Sequence, residues 1–243
     1  MKKIRSVKDG VESLLSKNQL QAQSSWAFVN KTKCDMTDSL ILADEKYPLL
    51  YWRSDPQIEA IARNAIKNIG GSISLKVSGM VTKDYGLDAF LYKALDVTEW
   101  VLDSEIKKIT AYINKNAANV TVLMKNEKVA LLELNACLPK GCEEQVRYTS
   151  WGKEGLESTR VVSTKLRPQS VYLFTDRTEP HEYNDATLEL YGLSLDDATK
   201  AVAIFKAITG KTSLELFKER DAKLKSYIEK VYESNKTNQS IEL

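Results

Sequence analysis

The chain has 243 residues, 43% of them hydrophobic, enough to bury a real core in one large domain or one and a half ordinary ones. Lys+Arg of 35 against Asp+Glu of 33 leaves a net charge of +2 with the signs interleaved, which gives no basic footprint for nucleic acid and excludes a polyanion partner. No stretch is long and apolar enough for a membrane span, and the basic start MKKIRS meets Asp9, Gly10 and Glu12 where a signal peptide needs an apolar run, so the expected location is the cytoplasm. The three cysteines, Cys34, Cys137 and Cys142, are odd in number and contain no CxxC, which predicts reduced, buried or idle thiols rather than a disulfide framework or a zinc site.

In chain order, SLILAD (39–44) and YPLLYW (47–52) are short apolar runs bounded by polar residues and read as buried strands. Asp55-Pro56 is an N-cap followed by proline at the first helical position. Ile58, Ile61, Ala62, Ala65, Ile66 and Ile69 then recur at helical spacing until Gly70-Gly71 stops the helix. SISLKVSGM alternates as a strand does. Asp88 to Asp103 places Phe90, Leu91, Ala94, Leu95, Val101 and Leu102 on one side, which predicts an amphipathic helix.

The period then changes to two. Residues 107–114, 119–124, 129–138, 145–150, 156–163 and 170–175 are strand-like runs joined mostly by the turn segments KNEK, PKGCE and GKEG. So many consecutive strands without an intervening helix imply an antiparallel meander. In the last third, Ser194 precedes a helix ending near Gly210, and Thr212 and Glu215 have capping-box spacing for a second helix to about Glu233. A short strand is expected at 240–243. No internal repeat or low-complexity linker divides the chain.

Several of these pieces, read in order, resemble the C-terminal half of the Gfo/Idh/MocA family of NAD(P)-dependent sugar and polyol oxidoreductases. YPLLYWRSDPQIEAIARNAIKNIGGSISLKV resembles the family's crossover between halves, and LDVTEWVLD its D-x-x-x-W helix. ALLELNACLP and YTSWGKEGLESTRVV resemble its hairpins, and YIEKVYESNKTNQSIEL resembles its closing segment. The resemblance implies an α+β domain over 47–243: a large, mainly antiparallel, open-faced sheet with helices on one face. Residues 1–46 are then a short, degenerate α/β appendage. It also implies face-to-face homodimerisation through the free sheet face, since a broad sheet covered on one side leaves an apolar surface that a partner usually covers.

Two departures decide what the resemblance implies for activity. Dinucleotide binding needs βαβ units of about 30 residues each and a Gly-rich turn opening the first helix, whose N–H groups hold the pyrophosphate. Residues 1–46 hold a single glycine, Gly10, so no complete Rossmann domain fits there and no NAD(P) site is expected unless a partner subunit supplies it. ADEKYP (43–48) is similar to the family's E-K-P, whose lysine lies in the active site, but a tyrosine intervenes. The second departure is in the catalytic pattern D-x-G-x-H-x-x-D-x-x-x-W. Anchored on Asp96 and Trp100, it places Ala89, Leu91 and Lys93 where the family has Asp, Gly and the acid/base His.

Lys93 is therefore the candidate catalytic residue, and Lys93, Asp96, Arg147 and Trp151 are the candidate substrate-binding residues. Arg147, Tyr148 and Trp151 fall on a strand that in the family borders the substrate cleft. The plain alternative for Lys93 is a snorkelling ion pair with Asp96 at i, i+3, worth a few tenths of a kcal/mol to a helix. The tryptophans are equally suited to core or interface anchoring. His181, the one histidine, stands among acidic residues in what reads as a polar loop, with no second histidine or cysteine at metal-ligand spacing and no G-x-S-x-G turn. Three functional readings stay open: a dimerising or ligand-binding domain without redox activity of its own, the substrate-binding subunit of an oxidoreductase completed by a Rossmann-fold chain, and a non-catalytic protein that binds a sugar or polyol.

Overall fold

The first ordered element is a helix, α1 (Val7–Asn18), in a stretch to which the patterning above assigns nothing. The Ser6 side chain accepts a hydrogen bond from the N–H of Asp9, and Gln19 closes the other end at φ +54°. The structure is a computed structural model describing residues 4–32, 34–142, 144–160, 170–175, 181–184, 190 and 192–243; for Arg160 and for 170–175 and 181–184 only the backbone is described. Chain contacts divide it into two units, Met1–Asp55 with Ala186–Lys223, and Pro56–Asp185 with Leu224–Leu243.

In the first unit a three-stranded antiparallel sheet runs in the order β1 (Trp26–Val29), β2 (Ser39–Leu42), β3 (Glu45–Pro48). Ala43 and Asp44 form its two-residue hairpin turn, both at positive φ, +49° and +68°. The strand expected over 47–52 ends at Pro48, and Tyr51–Ser54 is a 3-10 turn instead. Proline cannot donate to a ladder and belongs at the end of an edge strand, so apolar run and strand part company there. The unit also contains α4 (Leu195–Ile208) and the start of α5 (Glu215–Thr237). Helices α1 and α4 approach closely at Gly10, where a β-carbon would stand 3.0 Å from Leu193 Cδ1 and 3.1 Å from Ala201 Cβ. That packing draws 186–223 into the same unit as the N-terminal segment.

In the second unit the order across a nine-stranded sheet is β11-β10-β9-β8-β4-β7-β6-β5-β12. The strands are β4 (Ser72–Thr82), β5 (Ile106–Ile113), β6 (Ala117–Met124), β7 (Val129–Leu138), β8 (Gln145–Gly152), β9 (Gly155–Arg160), β10 (Ser170–Thr175), β11 (His181–Asn184) and β12 (Ile241–Glu242). The α+β class and the large, mostly antiparallel sheet agree with expectation. The uninterrupted meander does not: β4 inserts between β7 and β8, parallel to β7 and antiparallel to β8. His181 lies in a strand, not a loop. The last three residues of the 156–163 run lie outside the described residues.

Helices α2 (Pro56–Ile69) and α3 (Leu87–Leu102) pack on each other and on one sheet face. Alternation fixes that face: Leu75 and Val77 on β4, Ala130, Leu132 and Leu134 on β7, and Val120, Val122 and Met124 on β6 are all buried. At one edge β12 pairs with β5, and α5 caps two further β5 amides: Ala111 N–H donates to Ser234 Oγ at 3.0 Å and Ile113 N–H to Asn235 Oδ1 at 2.6 Å. All three cysteines are free and exposed, so of the expected buried or idle thiols the buried alternative fails.

Candidate functional site

Thirteen of the sixteen residues of α3 are buried, Lys93, Asp96 and Glu99 among them. An amphipathic helix shows one apolar stripe; a helix buried all round is a core element, so the one-sided reading of this segment is corrected. Its end is held by side chains from the β6–β7 turn: Asn126 Nδ2 and Lys128 Nζ both donate to the Leu102 carbonyl, at 3.1 and 2.8 Å.

Charge buried this deeply has to be partnered. Lys93, 7% exposed, has its Nζ 3.9 Å from Glu144 Oε2, a residue at the entry to β8 and fifty-one positions away in sequence. Asp96, one turn on, is fully buried. Glu99 Oε1 accepts from the Ile106 N–H at 2.8 Å and from the Tyr227 hydroxyl at 2.6 Å. Spaced three apart, Lys93, Asp96 and Glu99 make an ionisable stripe along α3. Of the five groups, Glu99, Glu144 and Tyr227 carry no local sequence signal, since each enters through a contact made by the fold.

Arg147 and Trp151 lie elsewhere. On β8 the side chains alternate, and Tyr148 and Ser150 take the helix-covered face while Arg147, Thr149 and Trp151 take the other. Lys93 and Asp96 are thus on one side of the sheet and Arg147 and Trp151 on the opposite side, so the four do not form one cleft. Cross-strand register orders the free face into rows. One is mostly apolar and runs Leu123, Val129, Ser74, Trp151, Leu156. The next runs Thr121, Leu131, Lys76, Thr149, Ser158, and the next Asn119, Glu133, Ser78, Arg147. Lys76 pairs with Glu133 at 2.8 Å, and Arg147 Nε donates to Ser158 Oγ at 3.0 Å. Val129, Leu131 and Trp151 are each close to 40% exposed. The face is mixed rather than apolar.

The ADEKYP segment forms the β2–β3 hairpin, in which Lys46 is exposed and stands opposite Ile41. Among the described residues of the first unit, none opens a dinucleotide-binding turn. Gly10 lies inside α1 against Ala201 and opens no phosphate-binding turn, and the sheet of the first unit is antiparallel throughout, whereas a nucleotide-binding βαβ unit is parallel. Among the described residues no cluster of His, Cys, Asp and Glu could hold a metal ion, and no helix is long and apolar enough to cross a membrane.

No protein-family model and no curated protein sequence matches the chain. Solved structures match at the level of fold. An oxidoreductase from Agrobacterium radiobacter, in complex with NAD+, L-tartaric acid and magnesium, aligns with TM-score 0.60 and 11% identity over 79% of this chain and 63% of its own. Levoglucosan dehydrogenase in complex with NADH and L-sorbose gives 0.60 and 13%, over 79% and 64%. Aldose-aldose oxidoreductase from Caulobacter crescentus, complexed with glycerol, gives 0.60 and 12%, over 98% and 69%. The likeness is one of fold, and the chain spans less than two thirds of the length of the first two.

Proposed function

We propose that the second unit is a Gfo/Idh/MocA-like C-terminal domain that binds a sugar or polyol and self-associates, and that this chain performs no redox reaction by itself. The observation that carries the reading is the Lys93–Glu144 pair. At the α3 position where the family pattern has its acid/base histidine stands a buried ammonium group 3.9 Å from a carboxylate. Such a pair donates and accepts hydrogen bonds, which suits it to hydroxyl groups. Lys93 and Asp96 then belong to ligand binding, and Arg147 and Trp151 to the face that meets a second copy. Structural likeness to enzymes in complex with L-sorbose and with glycerol supports the ligand class.

The test is a thermal-shift screen with polyols and sugar acids, combined with equilibrium dialysis against NADH and NADPH. A specific ligand at 100 times its dissociation constant stabilises by about 2.7 kcal/mol, and Lys93→Met removes that gain. Micromolar binding of either nicotinamide nucleotide by the purified chain overturns the non-redox part.

A second reading rests on length. The chain spans 63–64% of relatives solved with NAD+ or NADH, which leaves room for a separate Rossmann-fold subunit to complete an oxidoreductase. Affinity purification from the native cell distinguishes the two: a stoichiometric Rossmann-fold partner favours this reading, and a homodimer alone favours the first.

A further inference from the structure

The helix-covered face of the sheet is apolar on β5, β6 and β7 but polar on β8 and β9. Its buried positions there include Tyr148, Ser150, Glu157 and Thr159. Ser150 donates to Ser72 on β4 at 2.7 Å, and the Tyr148 N–H donates to Thr159 Oγ1 at 2.9 Å. Among the described side chains, Glu157 is the one carboxyl in this seam. It is 2% exposed, and Oε1 accepts from Asn68 Nδ2 on α2 at 2.7 Å, while Oε2 finds no hydrogen-bond partner among the described residues. A buried carboxylate usually recruits a cation or several N–H donors, and half-satisfaction favours the neutral acid.

No described contact on the packed elements supplies a cation. On α2, Lys67 is exposed and Arg63 pairs with Glu59 at 2.7 Å. In the β8–β9 turn, Lys153 and Glu154 lie against Gly70 at the end of α2. On β8 the titratable group on this face is Tyr148, Arg147 lying on the opposite face, and the cross-strand neighbour of Glu157 is Ser150. The register neighbour on β10 is Leu173, whose own register partner on β11 is His181. On α3, which packs on α2, Lys93 meets Glu144, Glu99 meets Tyr227 and Ile106, Asp88 accepts from the Tyr232 hydroxyl, and Asp96 is buried.

We propose that Glu157 is a pH-sensitive latch, neutral when α2 is seated on the β8–β9 end of the sheet and releasing that contact when it ionises. Burial raises its pKa above the ordinary carboxylate range, and the Asn68 amide opposes the rise. The sign follows. Below the ordinary glutamate range the group is protonated in both folded and unfolded chains and costs nothing. As pH rises, the unfolded chain releases its proton first, so stability falls until the folded group has also ionised.

Thermal unfolding of wild type and Glu157→Gln from about pH 5 to about pH 8 tests this, together with amide hydrogen exchange of α2 and β9. Wild type is expected to lose melting temperature relative to the variant as pH rises, with exchange of α2 accelerating in wild type alone. Parallel melting curves, or equal acceleration in both proteins, overturn the proposal. If Glu157→Gln fails to fold, titration of the Glu157 carboxyl carbon by NMR in wild type decides. A midpoint above the ordinary glutamate range supports the latch, and one within or below that range overturns it.

Discussion

The hydroxyl of Tyr227 donates to Oε1 of Glu99 at 2.6 Å, and the same oxygen accepts the Ile106 N–H at 2.8 Å. One carboxylate therefore ties three elements of the second unit together: the end of the core helix α3, the first residue of β5, and the C-terminal half of α5. All three partners are buried. Tyr227→Phe removes one donor to a buried charge and leaves the ring packing in place, so it is expected to lower stability by about 1.5–3 kcal/mol. Urea unfolding with an unchanged slope and a lower midpoint is the expected result.

Lys200 on α4 is the cation of the first unit's core. Its Nζ lies 3.1 Å from Asp38 Oδ2, 2.6 Å from Asp196 Oδ2 and 5.0 Å from the centre of the Tyr51 ring. Burial alone would lower its pKa, but Asp196 and Asp38 together hold it well above the ordinary lysine range. Lys200→Met leaves the buried Asp38 carboxylate without its ammonium partner, only the Lys31 N–H still donating to Oδ1 among the described contacts, and breaking such a pair costs about 3–5 kcal/mol. The double variant Lys200→Met with Asp38→Leu is expected to recover a large part of that loss in chemical denaturation.

Two strand glycines are demanded by backbone contact. A β-carbon at Gly152 would lie 2.1 Å from the Ile69 carbonyl oxygen and 2.6 Å from that of Gly71, and at Gly79 one would lie 2.3 Å from the Gln145 oxygen. Main chain cannot yield as a side chain can. Gly152→Ala is expected to cost about 3 kcal/mol or more, at the upper end of overpacking effects. The drop in melting temperature measures it.

The hairpin turn at Ala43-Asp44 has the opposite character. Both residues sit at positive φ, where an alanine costs roughly 1–2 kcal/mol and Asn-Gly is the preferred pair. The double substitution Ala43→Asn with Asp44→Gly relieves that strain. It is expected to raise stability by about 1 kcal/mol, read as a higher denaturation midpoint.

Leu131 faces the free side of the sheet directly opposite Lys76 in the β4–β7 register. Leu131→Lys places two ammonium groups side by side there, with Glu133 able to neutralise one. In a self-associating protein this variant shifts the mass measured by light scattering from dimer towards monomer without lowering the melting temperature of the isolated fold. An unchanged mass removes this face from the interface.

Local chemistry carries a good part of the fold. Pro56 and the stop at Gly70-Gly71 bound α2 within a residue, Ser194 caps α4 through the Asp197 N–H, and β7 and β10 occupy the ranges their alternation predicts. These signals are readable because periodicity, caps and turns act between residues a few positions apart. The position of β4 between β7 and β8 is a different matter. Nothing in SISLKVSGM states which strands it will join, because pairing is settled by burial of both its neighbours' faces over long sequence separations.

The candidate site divides along the same line. That α3 holds ionisable residues at Lys93 and Asp96 is evident from the order of letters. The order of letters does not say that the helix is buried on every side, that Glu144 returns across the sheet to meet Lys93, or that Tyr227 reaches Glu99. Nor does it separate Lys93 from Arg147 and Trp151. Strand alternation sends those two to the face away from α3 once β8 is laid beside β4, and only the packed sheet determines which face the helices cover.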